Sequence, residues 1–224
     1  MKDPIFPDEL ETDEKESKKK IKKLSEEDEK KNKMINRYGS KLTRLSSWLK
    51  ELFSDDPKHR AILFSKFTDY LRAVEELLNI AGVPCAFLEG YSHHNTTPYN
   101  TYTNPISFST VTNKTKILQQ FKEENSPIKV ILLSLEKSAS GTNLVEATHV
   151  VLLDPMSGTV EEARAYENQA IGRAYRQGQT QRVTVVRFVV NDTAEQELYL
   201  RNKSTSTGKQ YRRYNYSVST CVFF

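Results

Sequence analysis

The segment AILFSKFTDYLRAVEELLNIAGVPCAFLEG, residues 61–90, decides the fold of this chain. It opens with the apolar run Ala61–Phe64, which is typical of a strand buried on both faces. An amphipathic helix is predicted over Asp69–Ala81, and Gly82 is a residue type that commonly ends a helix. The run Val83–Leu88 is the next strand candidate. A strand, a helix and a strand in succession predict a parallel sheet with crossover helices.

The same alternation continues on both sides of that segment. Before it, Trp48 and four leucines recur at helical spacing: Leu42, Leu45, Leu49 and Leu52. After it, helices are predicted over Lys114–Glu124, Val160–Tyr175 and Thr193–Leu200, and strands over Val130–Leu133, Val150–Leu153 and Val183–Val190. We therefore predict an α/β fold, with a mainly parallel sheet and helices on both of its faces.

Composition divides the chain into a central domain and two flanking segments. Residues 1–35 are dense in charge, which predicts a disordered or loosely helical segment because too little apolar surface can be buried there. Residues 36–202 form the predicted domain. Within it, residues 91–113 hold no acidic residue, lysine or arginine and read as a surface insertion. Residues 203–224, rich in Ser, Thr and Tyr, predict a flexible tail.

Bulk properties exclude several classes of protein. The net charge of +4 permits a nucleic-acid partner without requiring one. No run of 18 apolar residues is present, so no membrane span is predicted. Cys85 and Cys221 are far apart and form no CxxC pair, which argues against a disulfide framework or a zinc site. His93 and His94 have no Cys or acidic neighbour, so we interpret them as loop residues rather than metal ligands.

Candidate binding residues follow the predicted strands, because ligands of such sheets lie at the carboxyl ends of the strands. Ser65 and Lys66 follow the first strand, and Ser134 follows Val130–Leu133. A small-residue loop comes next and includes Ser140, Gly141, Thr142 and Asn143. Small residues let backbone N–H groups approach a phosphate closely. An ordinary turn is the alternative for this loop.

The stretch QAIGRAYRQGQ, Gln169–Gln179, is the stronger constellation. Arg173 and Arg176 are three residues apart, so on a helix they project from the same face. Two neighbouring guanidinium groups repel each other unless an anion lies between them, and phosphate fits their forked donors. Gly172 leaves room beside the first arginine. The alternative is a surface pair bridged to acids on the same helix, namely Glu161, Glu162 or Glu167.

These motifs resemble those of the Snf-type members of helicase superfamily two. QAIGRAYRQGQ is similar to their last motif, QAxxRxHRxGQ, and ASGTNL (139–144) to the AGGxGxNL motif before it. AILFSKF (61–67) is similar to the first strand of their second lobe, commonly ending FSQF. The resemblance extends from about Tyr38 to Arg201. It implies a RecA-like three-layer sandwich, the C-terminal lobe of such an ATPase.

A finer resemblance concerns two further segments. EATHVVLLDP (146–155) and YGSKL (38–42) are similar to the RING-bearing group of SNF-histone-linker-PHD-RING proteins, although no RING ligand spacing is present. Departures from the family pattern are Tyr175 in place of a usual His, Lys66 in place of Gln and Ser140 in place of Gly.

The resemblance also implies roles for individual residues. Arg176 would be the arginine finger that reaches the γ-phosphate of ATP, assisted by Arg173, and Gln169 opens the same motif. The residues implied near the nucleotide are Gly141, Thr142, Asn143 and Gly172. The residues implied near the DNA backbone are Ser65, Lys66, Ser134 and Ser140. We therefore expect the second motor lobe of an ATP-dependent double-stranded DNA translocase, nuclear and of the chromatin-remodelling or DNA-repair type.

The other half of an ATP site cannot be found in the sequence. No GxxxxGK[ST] phosphate loop and no DExx box precede the matched region. ATP and Mg²⁺ would be held mainly by a first lobe, in cis or in trans, and the chain alone would be inactive, as expected of a fragment, a truncated product or half of a split protein. Double-stranded or nucleosomal DNA would be the other partner, and no membrane is implicated. The alternative is a catalytically inactive module that binds DNA or protein.

Overall fold

The predicted strands form one sheet in the computed structural model, which describes residues 29, 33, 34, 36–88, 111–134, 142–204 and 217–223. In chain order the strands are β1 (Ala61–Ser65), β2 (Cys85–Phe87), β3 (Val130–Ser134), β4 (His149–Leu152), β5 (Thr184–Val189) and β6 (Ser217–Phe223). They lie in the order β2-β3-β1-β4-β5-β6, and each neighbouring pair is parallel. The prediction of a mainly parallel sheet is confirmed.

Five helices accompany the strands in the described part of the chain. They are α1 (36–55), α2 (Thr68–Ile80), α3 (Val111–Lys122), α4 (Val160–Ala174) and α5 (Ala194–Ser204). Helix α3 begins three residues before its predicted start, inside the range assigned to the insertion, while residues 91–110 of that range lie outside the described residues. Among the helices of the described part of the chain, none is long and apolar enough to cross a membrane.

Helices cover both faces of the sheet, so the fold has three layers. Successive residues of a strand point to opposite faces, and the two cores follow this alternation. Ile62 and Phe64 of β1 belong to the core that includes Phe121 of α3 and the inner side of α4. Ala61 and Leu63 belong to the other core, with the leucines of α1 and α2. This double burial explains why the central strands are unbroken apolar runs.

The end of the chain differs from the prediction. A flexible tail was expected over residues 203–224, but Ser217–Phe223 forms β6 and pairs with β5 along the edge of the sheet. Its sequence, SVSTCVF, alternates β-branched residues with serine and cysteine and ends in an aromatic residue. Such residues favour a strand when a neighbouring strand supplies hydrogen bonds. The charged segment expected over residues 1–35 lies almost entirely outside the described residues.

Candidate functional site

The ends of β1 and β3 bring two of the predicted site residues together. Ser65 and Ser134 are register partners at the carboxyl edge of the sheet. Both are buried, at 0% and 1% exposure. Their hydroxyl groups therefore face the protein interior, whereas the expected contact with a DNA backbone requires a surface position. Ser134 Oγ has no hydrogen-bond partner among the described residues.

A tight turn after β1 sets the position of Lys66. The backbone N–H of Phe67 donates to Ser65 Oγ at 3.0 Å, and the backbone N–H of Lys66 donates to Asp154 Oδ2 at 3.0 Å. Burial raises the pKa of the Asp154 carboxyl group, and the hydrogen bonds from Lys66 and Ser65 oppose that shift. Asp154 thus anchors the half-buried Lys66, a role that we did not predict from the sequence.

A partly buried ion pair lies behind this turn. Lys41 Nζ on α1 is 2.8 Å from both carboxylate oxygens of Glu195 on α5. Glu195 Oε2 also accepts a hydrogen bond from the backbone N–H of Val190 at 3.1 Å. Burial, followed by the negative charges of Glu195 and Asp154, raises the pKa of the Tyr70 hydroxyl. The pair joins α1 and α5 across the carboxyl edge of the sheet, close to Asp154.

Only part of the predicted small-residue loop is described. Ser140 and Gly141 lie outside the described residues, whereas Thr142 and Asn143 lie inside. Asn143 is exposed, and the buried Oγ1 atom of Thr142 has no hydrogen-bond partner within the described part of the chain. The segment then returns to α4, because the backbone N–H of Leu144 donates to the carbonyl of Arg173 at 3.0 Å. The loop and the arginine motif are therefore neighbours.

Helix α4 carries the arginine motif and has a well-defined start. Thr159 caps it, with Glu162 N donating to Thr159 Oγ1 at 3.2 Å and Thr159 N donating to Glu162 Oε2 at 2.8 Å. This reciprocal pair satisfies two backbone donors that the first turn of a helix leaves open. Gln169 lies on the exposed side of the helix.

The end of α4 corrects the expected geometry of the two arginines. The helix ends at Ala174, and Tyr175 has a non-helical ψ of 84°. Arg173 and Arg176 therefore do not project from one helix face: Arg173 is buried at 4% exposure, and Arg176 is exposed in the turn beyond the helix. Burial and the nearby charge of Arg176 both lower the pKa of Arg173. The two guanidinium groups are close but differ in exposure.

Arg176 is held by the backbone rather than by an acid. Its Nε atom donates to the carbonyl of Gly172 at 2.8 Å. Within the described residues it makes no ion pair, and two of the three acids suggested as partners are engaged elsewhere: Glu167 pairs with Arg187 on β5 at 2.6 Å, and Glu162 caps α4. Above Gly172, an added Cβ would meet no atom of the described residues within 4 Å. The exposed Arg176 therefore lies beside a position that the described residues leave unfilled.

Comparison with known proteins defines the class of this fold and site. The family described as "Helicase conserved C-terminal domain" matches residues 41–178, and the chain belongs to it. A solved structure of the C-terminal part of the Fun30 ATPase domain is similar, with a TM-score of 0.56 and 23% identity over 73% of this chain and 45% of that one. The predicted RecA-like fold and the resemblance to the C-terminal lobe of Snf-type ATPases are confirmed.

Curated relatives are similar over the same region. DNA repair protein RAD5 of Candida albicans is 29% identical over 165 residues, and transcription termination factor 2 of Drosophila melanogaster is 30% identical over 164 residues; each match covers 73% of this chain. Helicase-like transcription factor of Mus musculus is 28% identical over 177 residues, or 78% of this chain. The chain spans only 13% to 15% of the length of these relatives.

Proposed function

We propose that this chain is the second motor lobe of an ATP-dependent double-stranded DNA translocase. In this role Arg176 is the arginine finger for ATP bound in a first, DExx-type lobe. The proposal extends the family membership with the geometry of one residue: Arg176 is exposed, oriented by a backbone carbonyl and free of acidic partners among the described residues. An arginine arranged in this way is suited to meet an anion that another domain presents.

The residues around Arg176 fit a phosphate group. Its Nε atom donates to the carbonyl of Gly172, and the two terminal nitrogens have no acceptor among the described residues. Guanidinium groups bind phosphate oxygens through such paired donors. ATP with Mg²⁺ supplies the phosphoanhydride bond that is cleaved. This lobe contributes positive charge to the transferred phosphoryl group, an effect worth about 10³–10⁵ in kcat.

The second partner in the proposal is the DNA backbone. Lys66 lies at the carboxyl edge of the sheet, in a turn fixed by Asp154 and Ser65. We assign it a phosphate contact, and the buried hydroxyl group of Ser65 helps to hold the turn by accepting a hydrogen bond from the backbone N–H of Phe67. Phosphate contacts provide affinity without base specificity, which suits a motor that moves along DNA. The names of the relatives, which concern DNA repair and transcription, support nuclear DNA as the substrate.

The test combines this chain with the first lobe of a related Snf-type ATPase and measures DNA-stimulated ATP hydrolysis. Arg176→Ala is compared with Arg182→Ala, which removes an exposed arginine six residues away. We expect Arg176→Ala to abolish hydrolysis and Arg182→Ala to retain it. Equal activity of the two variants would refute the assignment of Arg176.

One observation favours the alternative of an inactive binding module. Arg173, the first arginine of the motif, is buried rather than presented at the surface. If the recombined lobes hydrolyse no ATP while the chain still binds duplex DNA with strong salt dependence, the inactive module is the better account.

A further inference from the structure

The side chain of Gln179 joins two segments that are distant in sequence. Its Nε2 atom donates to the carbonyls of Val145 at 2.7 Å and Ala147 at 3.2 Å, and also to the carbonyl of Ala174 at 3.1 Å. Its Oε1 atom accepts from the backbone N–H of Gln181 at 2.8 Å. Both the donor and the acceptor of the amide are therefore engaged, a combination that a carboxylate cannot reproduce.

Backbone hydrogen bonds add a second connection between the segments and close the turn. The N–H of Leu144 donates to the carbonyl of Arg173, and the N–H of Gln179 donates to the carbonyl of Arg176, each at 3.0 Å. Because α4 ends at Ala174, the carbonyl of Ala174 has no further helical turn to bond. Gln179 supplies that missing donor. The turn that carries Arg176 is thus closed by the backbone of Gln179 and tied to residues 145–147 by its side chain.

We propose that Gln179 is the positioning residue that couples the 142–147 segment to the turn bearing Arg176. This inference rests on the proposed role of Arg176 as the arginine finger. Thr142 and Asn143 are the first two residues of this segment. Because the Gln179 amide binds the carbonyls of Val145 and Ala147, a displacement of the loop is transmitted through that amide to Arg176. Loss of the amide leaves three carbonyls without their donor and lets the turn shift. A shift of about 1 Å in a catalytic group can cost about 100-fold in rate.

The decisive variant is Gln179→Glu, which keeps the shape but places a carboxylate against three carbonyl oxygens. Gln119→Glu is the matched control, because it makes the same change in charge at an exposed position on α3, outside the arginine motif. Two quantities are measured: kcat and KM for ATP in the recombined two-lobe enzyme with DNA, and amide hydrogen exchange in the chain alone. For Gln179→Glu we expect kcat to fall about 10- to 100-fold with KM for ATP unchanged. Exchange should rise in residues 142–147 and 172–179 but not in β1 or β3.

Several outcomes would overturn the coupling role. Equal kcat for the two glutamate variants would do so. Amide hydrogen exchange that rises equally in β1 and β3 would also do so, because Gln179 would then only stabilise the fold. If Gln179→Glu does not fold, Gln179→Met removes the hydrogen bonds without adding charge and takes its place. Arg176→Ala separates the two proposals. An unchanged kcat in that variant refutes the arginine finger. Hydrogen exchange at residues 142–147 in Gln179→Glu tests the Gln179 link independently of Arg176.

Discussion

The Lys41–Glu195 pair should stabilise the domain measurably, because it is partly buried and bidentate. Its Nζ–O distances are 2.8 Å, and the side chains are 11% and 32% exposed. At an effective dielectric constant of about 20, Coulomb's law gives an attraction of about 6 kcal/mol at that distance. Desolvation of both groups offsets most of it. Glu195 is 32% exposed, so the desolvation of its carboxylate is incomplete. We therefore expect a net coupling free energy of about 1–3 kcal/mol.

A double-mutant cycle isolates that coupling. Urea unfolding is measured for the native chain, Lys41→Met, Glu195→Gln and the double variant, and the coupling is the departure from additivity. The pair Arg44–Glu51 is the matched control: it also involves α1, at 3.1 Å, but its side chains are 42% and 59% exposed. There we expect less than about 0.5 kcal/mol. A Lys41–Glu195 coupling no larger than the control would refute the reasoning.

Three further predictions concern packing, pH and DNA. Phe121→Ala should lower the free energy of unfolding by about 3–5 kcal/mol because Phe121 is fully buried. Phe67 is 59% exposed, so Phe67→Ala should change it by less than about 0.5 kcal/mol. Urea unfolding of the two variants measures both changes. Burial and the neighbouring His59 lower the pKa of His149 to about 4. The unfolded chain, with an ordinary His pKa of about 6.5, therefore binds more protons than the folded chain between these values. Stability should fall by about 1–2 kcal/mol from pH 7 to pH 5. His149→Phe should lose that part of the pH dependence, and an unchanged profile would contradict the assignment. Lys66→Ala should lower the salt dependence of duplex binding by about one phosphate contact, while the exposed Lys58→Ala, before β1, should not.

The sheet could be predicted because its central strands are buried on both faces. Double burial leaves an uninterrupted apolar run, and Ala61–Phe64 and Val130–Leu133 each lie within one residue of the observed strand. β6 escaped prediction because its two serines and its threonine are residue types equally common in loops. The strand depends on pairing with β5, which a local pattern cannot reveal.

The candidate site was predicted less completely, for two physical reasons. The spacing of Arg173 and Arg176 places them on one face only if the helix continues, but α4 ends at Ala174. The contacts of Asp154 and Gln179 join residues 88 and 34 positions apart, so no short motif records them. A polar residue that follows a buried strand, such as Asp154, is the signal that could have been used. Arg176 lies within the part of the chain that matches the helicase C-terminal family, while its role as an arginine finger stays a prediction.

The most direct test of the central claim is the single-turnover rate of ATP hydrolysis by the recombined two-lobe enzyme, at saturating ATP and DNA, with native chain or Arg176→Ala. We predict a rate about 10³–10⁵-fold lower for the variant, with ATP affinity little changed, since the finger acts on the transferred phosphoryl group. Removal of a single transition-state contact costs about 100-fold or more in rate. A variant rate within about threefold of the native rate would therefore contradict the account.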